Sequence, residues 1–320
     1  MFNRATRTTV GVLGSAIDAL SWQDALERIT LWAATYESRY VCACNAHSLV
    51  TASLDPSFRE IINSADMAVP DGMPIAWSLC KMGFPRQERI NGPDLMLRLC
   101  AGAAERDLSV FFYGSSPRTL AKLQTNLGAW LPKLKIVGSH SPPYRPQSAA
   151  EDAAAIELIN ASGAAIVFIS LGCPKQERWM AQHRGKVQAV MVGVGAAFDY
   201  HAGTLRRAPL WMQDRGLEWL YRLLKEPRRL WRRYLTTNTI FLLRIARQFL
   251  REHRQAVETA SARISVPIPQ ATQPEHHAET TEARNVENIL GDEMGSYPAR
   301  GRDGVHLGTA LRERRSQSRT

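Results

Sequence analysis

The sequence has no cysteine framework. Its five cysteines, Cys42, Cys44, Cys80, Cys100 and Cys173, are scattered over 320 residues. None form a C-x-x-C pair, and none lie at zinc-site spacing with histidine. This argues against a disulfide-stapled fold and a structural zinc site, and the odd count suits a reducing compartment. Long apolar runs are also missing. The opening residues, MFNRATRTTVGVLG, hold no stretch apolar enough for a signal peptide. No run approaches the roughly 18 apolar residues of a spanning helix. The expectation is a cytoplasmic protein, peripheral on the inner face of the cell membrane. Trp and Phe are absent beyond about residue 260, where a single Tyr remains among Pro, Gln, Thr, Glu, Gly and Arg. Such a composition cannot bury enough apolar surface to offset its ordering entropy, so 259–320 is expected to be disordered.

Acid is scarcer than base. There are 40 Lys and Arg against 30 Asp and Glu, a formal net charge of +10. Residues 204–254 contain 13 basic and 4 acidic side chains, and 13 − 4 gives +9. Nearly all the excess therefore lies in one segment, and an anionic partner is expected there: acidic lipid, nucleic acid or a phosphorylated substrate.

What is present is a strand–helix alternation. Thr9 to Leu13 reads as a strand. Ser21 reads as a helix N-cap with Asp24 at N3, followed by Trp22, Ala25, Leu26, Ile29, Trp32 and Ala33 at helical spacing. RYVCAC is a strand ending at Asn45. Asp55-Pro56 opens a helix that turns Phe58, Ile61 and Ile62 inward. Met67 to Val69 is a short strand running into Pro70-Asp71-Gly72. Residues 109–113, 134–137, 164–171 and 187–192 read as further strands. Between them lie helices, one opened by Ser116-Pro117, one over Glu151 to Asn160 and one in KQERWMAQH. From Leu210 onward the pattern is helical, broken at Pro227, with a last amphipathic segment from Ile240 to Leu250. The fold class is α/β: a Rossmann-like, mostly parallel sheet with helices on both faces. The expected units are an α/β core over 1–203, a basic amphipathic helical appendage over 204–258 and the tail over 259–320.

Open α/β sheets bind ligands beyond the carboxyl ends of their strands, where helix N-termini offer N–H groups to phosphate. YGSSP, LGCPKQE and GVGAAFD sit at such ends. GVGAAF, with Gly193 and Gly195, lacks the third glycine and the later acid of a dinucleotide fingerprint. Asp71 follows a buried strand and precedes a helix starting near Met73. A carboxylate at the cleft rim can take a proton from an attacking hydroxyl, although Asp-Gly is also a common turn. Arg89 and Asn91 lie in ERINGPDL, ahead of a helix capped by Asp94 or started by Pro93; arginine suits bidentate phosphate binding. Gln176 and Glu177 occupy a first helical turn, where Glu177 also complements the helix dipole. Asn45 ends its strand and suits a turn equally well. In the basic segment, Trp211, Trp219, Trp231 and Phe241 favour a lipid surface over nucleic acid.

Several stretches together resemble the WecB/TagA/CpsF family of glycosyltransferases (glycosyltransferase family 26), from about Val10 to Leu235. They are GVLGSAID, NSADMAVPDGMP, ERINGPDLM, LGCPKQERWMAQH, VGVGAAFDYHAGTLRRAPLWMQ and GLEWLYRLLKEPRRLWRRYL. The resemblance implies an inverting enzyme that needs no metal or other cofactor. It would move a hexose or N-acetylhexosamine from a donor of the UDP-N-acetylmannosamine or UDP-glucose type to a polyprenyl-diphosphate-linked sugar. The product would enter exopolysaccharide, capsule or cell-wall polymer. It implies Asp71 as catalytic base and Arg89 and Gln176 as substrate or diphosphate ligands. A basic appendage would recruit the enzyme to the membrane and lend Arg222, Arg229 and Arg232 to the site. Family members often carry Thr where this chain has Ala43, so any hydroxyl contact from that position is absent. The alternatives are a non-catalytic basic protein that binds membrane or nucleic acid, and a nucleotide-dependent oxidoreductase or epimerase. The last lacks its glycine fingerprint and a Tyr-x-x-x-Lys pair.

Overall fold

A computed structural model describes residues 7–264, with side chains through 255. The chain opens with a hairpin, β1 (Thr9–Val12) and β2 (Ser15–Asp18), then α1 (Trp22–Ala34), whose Ser21 and Asp24 form a reciprocal capping box. Next come β3 (Arg39–Cys44), α2 (Ala46–Leu54), α3 (Pro56–Asn63), β4 (Met67–Pro70), α4 (Met73–Lys81) and α5 (Gly92–Glu105). The second half runs β5 (Ser109–Gly114), α6 (Pro117–Trp130), β6 (Lys135–His140), α7 (Ala149–Ala161), β7 (Ile166–Ser170), α8 (Lys175–His183) and β8 (Val190–Gly193). Helices α9 (Ala197–His201), α10 (Leu210–Asp214), α11 (Glu218–Lys225) and α12 (Pro227–Ile264) complete the described chain.

The main sheet has six strands in the order β4-β3-β8-β7-β5-β6, and every pairing is parallel. Successive side chains of a strand point to opposite faces, so a sheet covered on both sides needs apolar residues at consecutive positions. In β3, Tyr40, Cys42 and Cys44 join one core with Leu49, Phe58, Met180 and Phe241, while Val41 and Ala43 join the other with Ile29, Leu95 and Phe198. The same alternation divides Phe111 and Tyr113 from Val110 and Phe112 in β5. Helices α2, α3, α7, α8 and α12 therefore cover one face, and α1, α5, α6 and α9 the other.

Three elements differ from the sequence expectation. The hairpin partner β2 and helix α2 were not anticipated: β2 is only four residues long, and α2 follows β3 with Asn45 as its sole connection. The break at Pro227 is present, between α11 and α12, but the last amphipathic segment does not begin at Ile240: everything from Pro227 belongs to it. It is one helix of 38 residues, because Leu230, Thr237, Phe241 and Ile245 recur on a single face and are each under a tenth exposed. That face packs on α2, where Arg244 donates to the Ser53 carbonyl at 2.9 Å. Gln248 ties α12 to the hairpin, donating to Gly11 O at 2.7 Å and accepting from Leu13 N at 3.0 Å. The helix continues over 259–264; beyond Ile264 the expected disordered tail lies outside the described residues. Among those residues no helix is long and apolar enough to cross a membrane.

Candidate active site

The strand order brings the carboxyl ends of β4, β3, β8 and β7 side by side, and a cavity of about 290 Å³ opens over them. Asn45 leaves β3 as the N-cap of α2. Its Oδ1 accepts from His47 N and Ser48 N, and its Nδ2 donates to Asp71 Oδ2 at 3.3 Å. The other Asp71 oxygen accepts from Gly92 N at 3.3 Å. A Cβ at Gly92 would lie 2.8 Å from the Val194 carbonyl oxygen, so only glycine lets α5 start this close to the β8 turn. Asp71 is half-buried. Burial raises its pKa above the usual carboxylate range; the Arg89 charge opposes that shift and the Glu218 charge adds to it.

Arg89 is fixed from two sides. Its Nε donates to the Asp71 carbonyl at 2.5 Å, and its Nη2 meets Glu218 Oε2 of α11 at 2.6 Å. On the β8 side, Gln176 Oε1 accepts from Gly195 N at 3.2 Å while Nε2 donates to Glu177 Oε1 at 2.9 Å. Gly193 passes so near that a Cβ there would sit 2.8 Å from Met180 Cε. Glu177 is 1% exposed and its pKa is pushed up, first by burial. Ala43 adds only a methyl group to the wall.

The remaining wall comes from the C-terminal helices. Arg222 of α11 and Arg233 and Tyr234 of α12 line the cavity, with Tyr200 of α9. The Nε atoms of both arginines, the Tyr200 hydroxyl and Glu177 Oε2 are buried with no hydrogen-bond partner among the described protein atoms. The arginine and tyrosine donors among them call for an acceptor. His47 faces the same space, and burial, then the Arg233 charge, lowers its pKa to about 4. Among the described residues no group of three or more His, Cys, Asp and Glu side chains is placed to hold a metal ion.

Three residues expected at the site do not line this cavity. Asn91 is the N-cap of α5, which has Pro93 in its first turn, as one of the two expected starts had it, and is not capped by Asp94. Its Oδ1 accepts from Asp94 N and from Arg207 Nη2, and it is 5% exposed. Arg229 pairs with Glu226 at the surface, and Arg232 lies over the Trp231 ring. Helical rotation is the reason: with Leu230 and Thr237 facing inward, position 233 turns into the cavity and positions 229 and 232 turn out. Arg233 was not singled out in the sequence: Leu230, Thr237 and Phe241 share its face, but Leu235, Leu242 and Leu250 form a rival apolar stripe on the same helix, and only docking on the core decides between them. The YGSSP turn also falls outside the cavity, because β5 lies beyond β7 in the sheet order.

Residues 10–255 match the profile of the Glycosyl transferase WecG/TagA/CpsF family. The chain belongs to this family. The matched span takes in the whole sheet and most of α12, so the cavity and the helices that close it lie inside the WecG/TagA/CpsF unit. Membership makes glycosyl transfer the class of reaction, with a sugar nucleotide as donor and a sugar as acceptor. A cavity lined by a carboxylate of raised pKa and by two arginines whose Nε donors lack a protein acceptor suits that chemistry.

Proposed function

We propose that this protein is an inverting UDP-sugar-dependent glycosyltransferase that works on a polyprenyl-diphosphate-linked sugar at an anionic membrane surface. The observation that carries the reading is a pair of half-buried arginines, Arg222 and Arg233, whose buried Nε donors have no protein acceptor in the cavity that the glycine turn of β8 also lines. A diphosphate supplies such acceptors.

In this reading the acceptor hydroxyl lies against Asp71. Its oxygen attacks the anomeric carbon, its proton passes to a carboxylate oxygen of Asp71, and the bond from that carbon to the UDP oxygen breaks. The electron pair leaves with UDP. Arg222, Arg233 and the peptide groups of Gly193–Gly195 meet the growing charge, with the remaining capacity of Arg89. A single displacement inverts the anomeric configuration. Asp71 is suited to be the base because its raised pKa makes the carboxylate a better proton acceptor. No metal takes part.

The membrane reading rests on the outer face of α12. Trp231, Leu235, Leu242 and Leu250 are 48%, 63%, 63% and 61% exposed, among Arg228, Arg232, Arg247 and Arg251. Phe241, expected to face lipid, is instead 2% exposed in the core, and Phe249 packs beside it.

The test is a donor screen with purified protein, synthetic lipid-diphosphate sugars and EDTA. Product from UDP-N-acetylmannosamine or UDP-glucose, unaffected by the chelator, is expected. Thermal stabilisation by NAD or RNA but not by UDP would overturn the assignment.

A further inference from the structure

Glu218 is out of place by charge. It is the only acid of α11, in a segment that is otherwise heavily basic, and it lines a cavity that must admit an anionic donor. A carboxylate there repels a diphosphate. Its side chain is nevertheless 13% exposed and held by a close ion pair to one arginine, with the charge of a second nearby. Arg89 Nη2 lies 2.6 Å from its Oε2, and Arg207 Nε lies 3.9 Å from its Oε1. Arg207 is anchored in turn by Asp94 and Asn91 of the α5 start.

The chain of contacts runs from the α5 cap through Arg207 and Glu218 to Arg89, and from Arg89 Nε to the peptide carbonyl of Asp71. Glu218 is the one member contributed by α11. Without it, Arg89 would keep the Asp71 carbonyl contact but lose the partner that fixes the far end of its guanidinium. A long side chain held at one end samples several rotamers.

We propose that Glu218 is a positioning residue. It presets the Arg89 guanidinium against the Asp71 peptide and competes with the donor diphosphate for it, so that the site gives up donor affinity for turnover. The proposal rests on the reading of the cavity as a UDP-sugar site. It also makes the Arg89 geometry depend on α11, because no residue of the sheet or of α1 to α8 replaces the second contact.

Glu218 also acts on Asp71 through space. Of the charged groups near Asp71, Arg89 holds its pKa down and Glu218 holds it up, on top of the larger effect of burial. Around Glu218 stand Arg89, Arg207, Arg222 and Tyr200. Loss of the Glu218 charge leaves Arg89 unopposed, so Asp71 ionises at lower pH. The acidic limb of turnover then moves down, while a weaker base slows the step.

The experiment compares wild type with Glu218→Gln and Glu218→Asp. UDP affinity is measured by calorimetry. The turnover number, KM and pH profile are measured with UDP-N-acetylmannosamine and UDP-glucose in turn. Glu218→Gln should bind UDP roughly threefold to tenfold more tightly. Its KM and turnover number should both fall, and its acidic limb should shift to lower pH. Glu218→Asp keeps the charge but shortens the reach. It should leave the acidic limb near that of wild type while lowering turnover, and it serves as the folded control should the glutamine variant not fold. Unchanged or weaker UDP binding in folded Glu218→Gln, or an unmoved limb, would reduce Glu218 to a structural ion pair. Failure of wild type to bind UDP at all would instead remove the underlying UDP-sugar reading.

Discussion

The α/β core and the C-terminal helices use charge in opposite ways. In the core, base meets acid: Arg7 with Asp18, Arg39 with Glu37 and Asp66, Arg178 with Asp55, and Arg184 with Asp66. These pairs stitch strand ends and helices together and leave little net field. Along α12 the arginines make one ion pair among the described residues, Arg229 with Glu226. Arg244 is held by the Ser53 carbonyl, and the other arginines have no carboxylate partner among those residues, with Arg233 turned into the cavity and Arg228, Arg232, Arg247 and Arg251 outward beside exposed leucines. Paired charge serves architecture here, and unpaired charge marks where something anionic is expected from outside. The two destinations on α12 are separated by helical rotation alone.

The strongest way to break this contrast is to remove the unpaired half. Truncation after His201 should abolish transfer to a lipid-linked acceptor and vesicle binding, whereas truncation after Ile264 should preserve both. Vesicle sedimentation of the two proteins with neutral and anionic lipid reads the outcome. Equal sedimentation would leave α12 as a lid that completes the site and no more.

Asp71→Asn tests the core half. The amide matches the carboxylate in shape but cannot take the hydroxyl proton, so UDP binding should persist while turnover falls ~10²–10⁴-fold. In the wild type, activity should decline as pH falls through the raised pKa of Asp71, because the base is then protonated. Full turnover in folded Asp71→Asn would clear it of the role.

Neighbouring arginines sharpen the comparison further. Arg233→Ala should weaken UDP binding about tenfold to a hundredfold, as loss of a charge-assisted hydrogen bond does. Arg232→Ala, one position away, should leave UDP affinity unchanged and reduce only the binding of anionic vesicles. Titration calorimetry separates the two, and equal effects would mean that α12 is rotated differently when the site is filled.

The smallest effects belong to the outer apolar stripe. Leu235→Ser and Leu242→Ser should each reduce vesicle binding a few-fold with turnover on a short-chain, soluble acceptor intact. Added salt should weaken the arginine contribution, since the screening length contracts to roughly 3 Å at 1 M. The leucine contribution should survive it. Vesicle binding unaffected by both serines would move the lipid contact elsewhere.

Much of this could be read along the chain. Parallel strands buried on both faces must be apolar at consecutive positions, so SVFFY and AIVFIS announced the sheet. Ser21 with Asp24, and Asp55 with Pro56, announced their helices, because caps are local chemistry. The residues on the strand ends, Asp71, Gln176, Gly193 and Gly195, were legible for the same reason: an α/β sheet gathers ligands at its carboxyl edge. Strand order was not legible, since it depends on which apolar faces find each other across the whole chain. That order decided that the β7 and β8 turns share a cavity with Asp71 and that the YGSSP turn does not. Nor could the sequence say which arginines of α12 face inward. Arg229, Arg232 and Arg233 are chemically alike, and only the docking of Leu230, Phe241 and Ile245 on the core fixes the rotation that turns one of them into the site and leaves the other two in solvent.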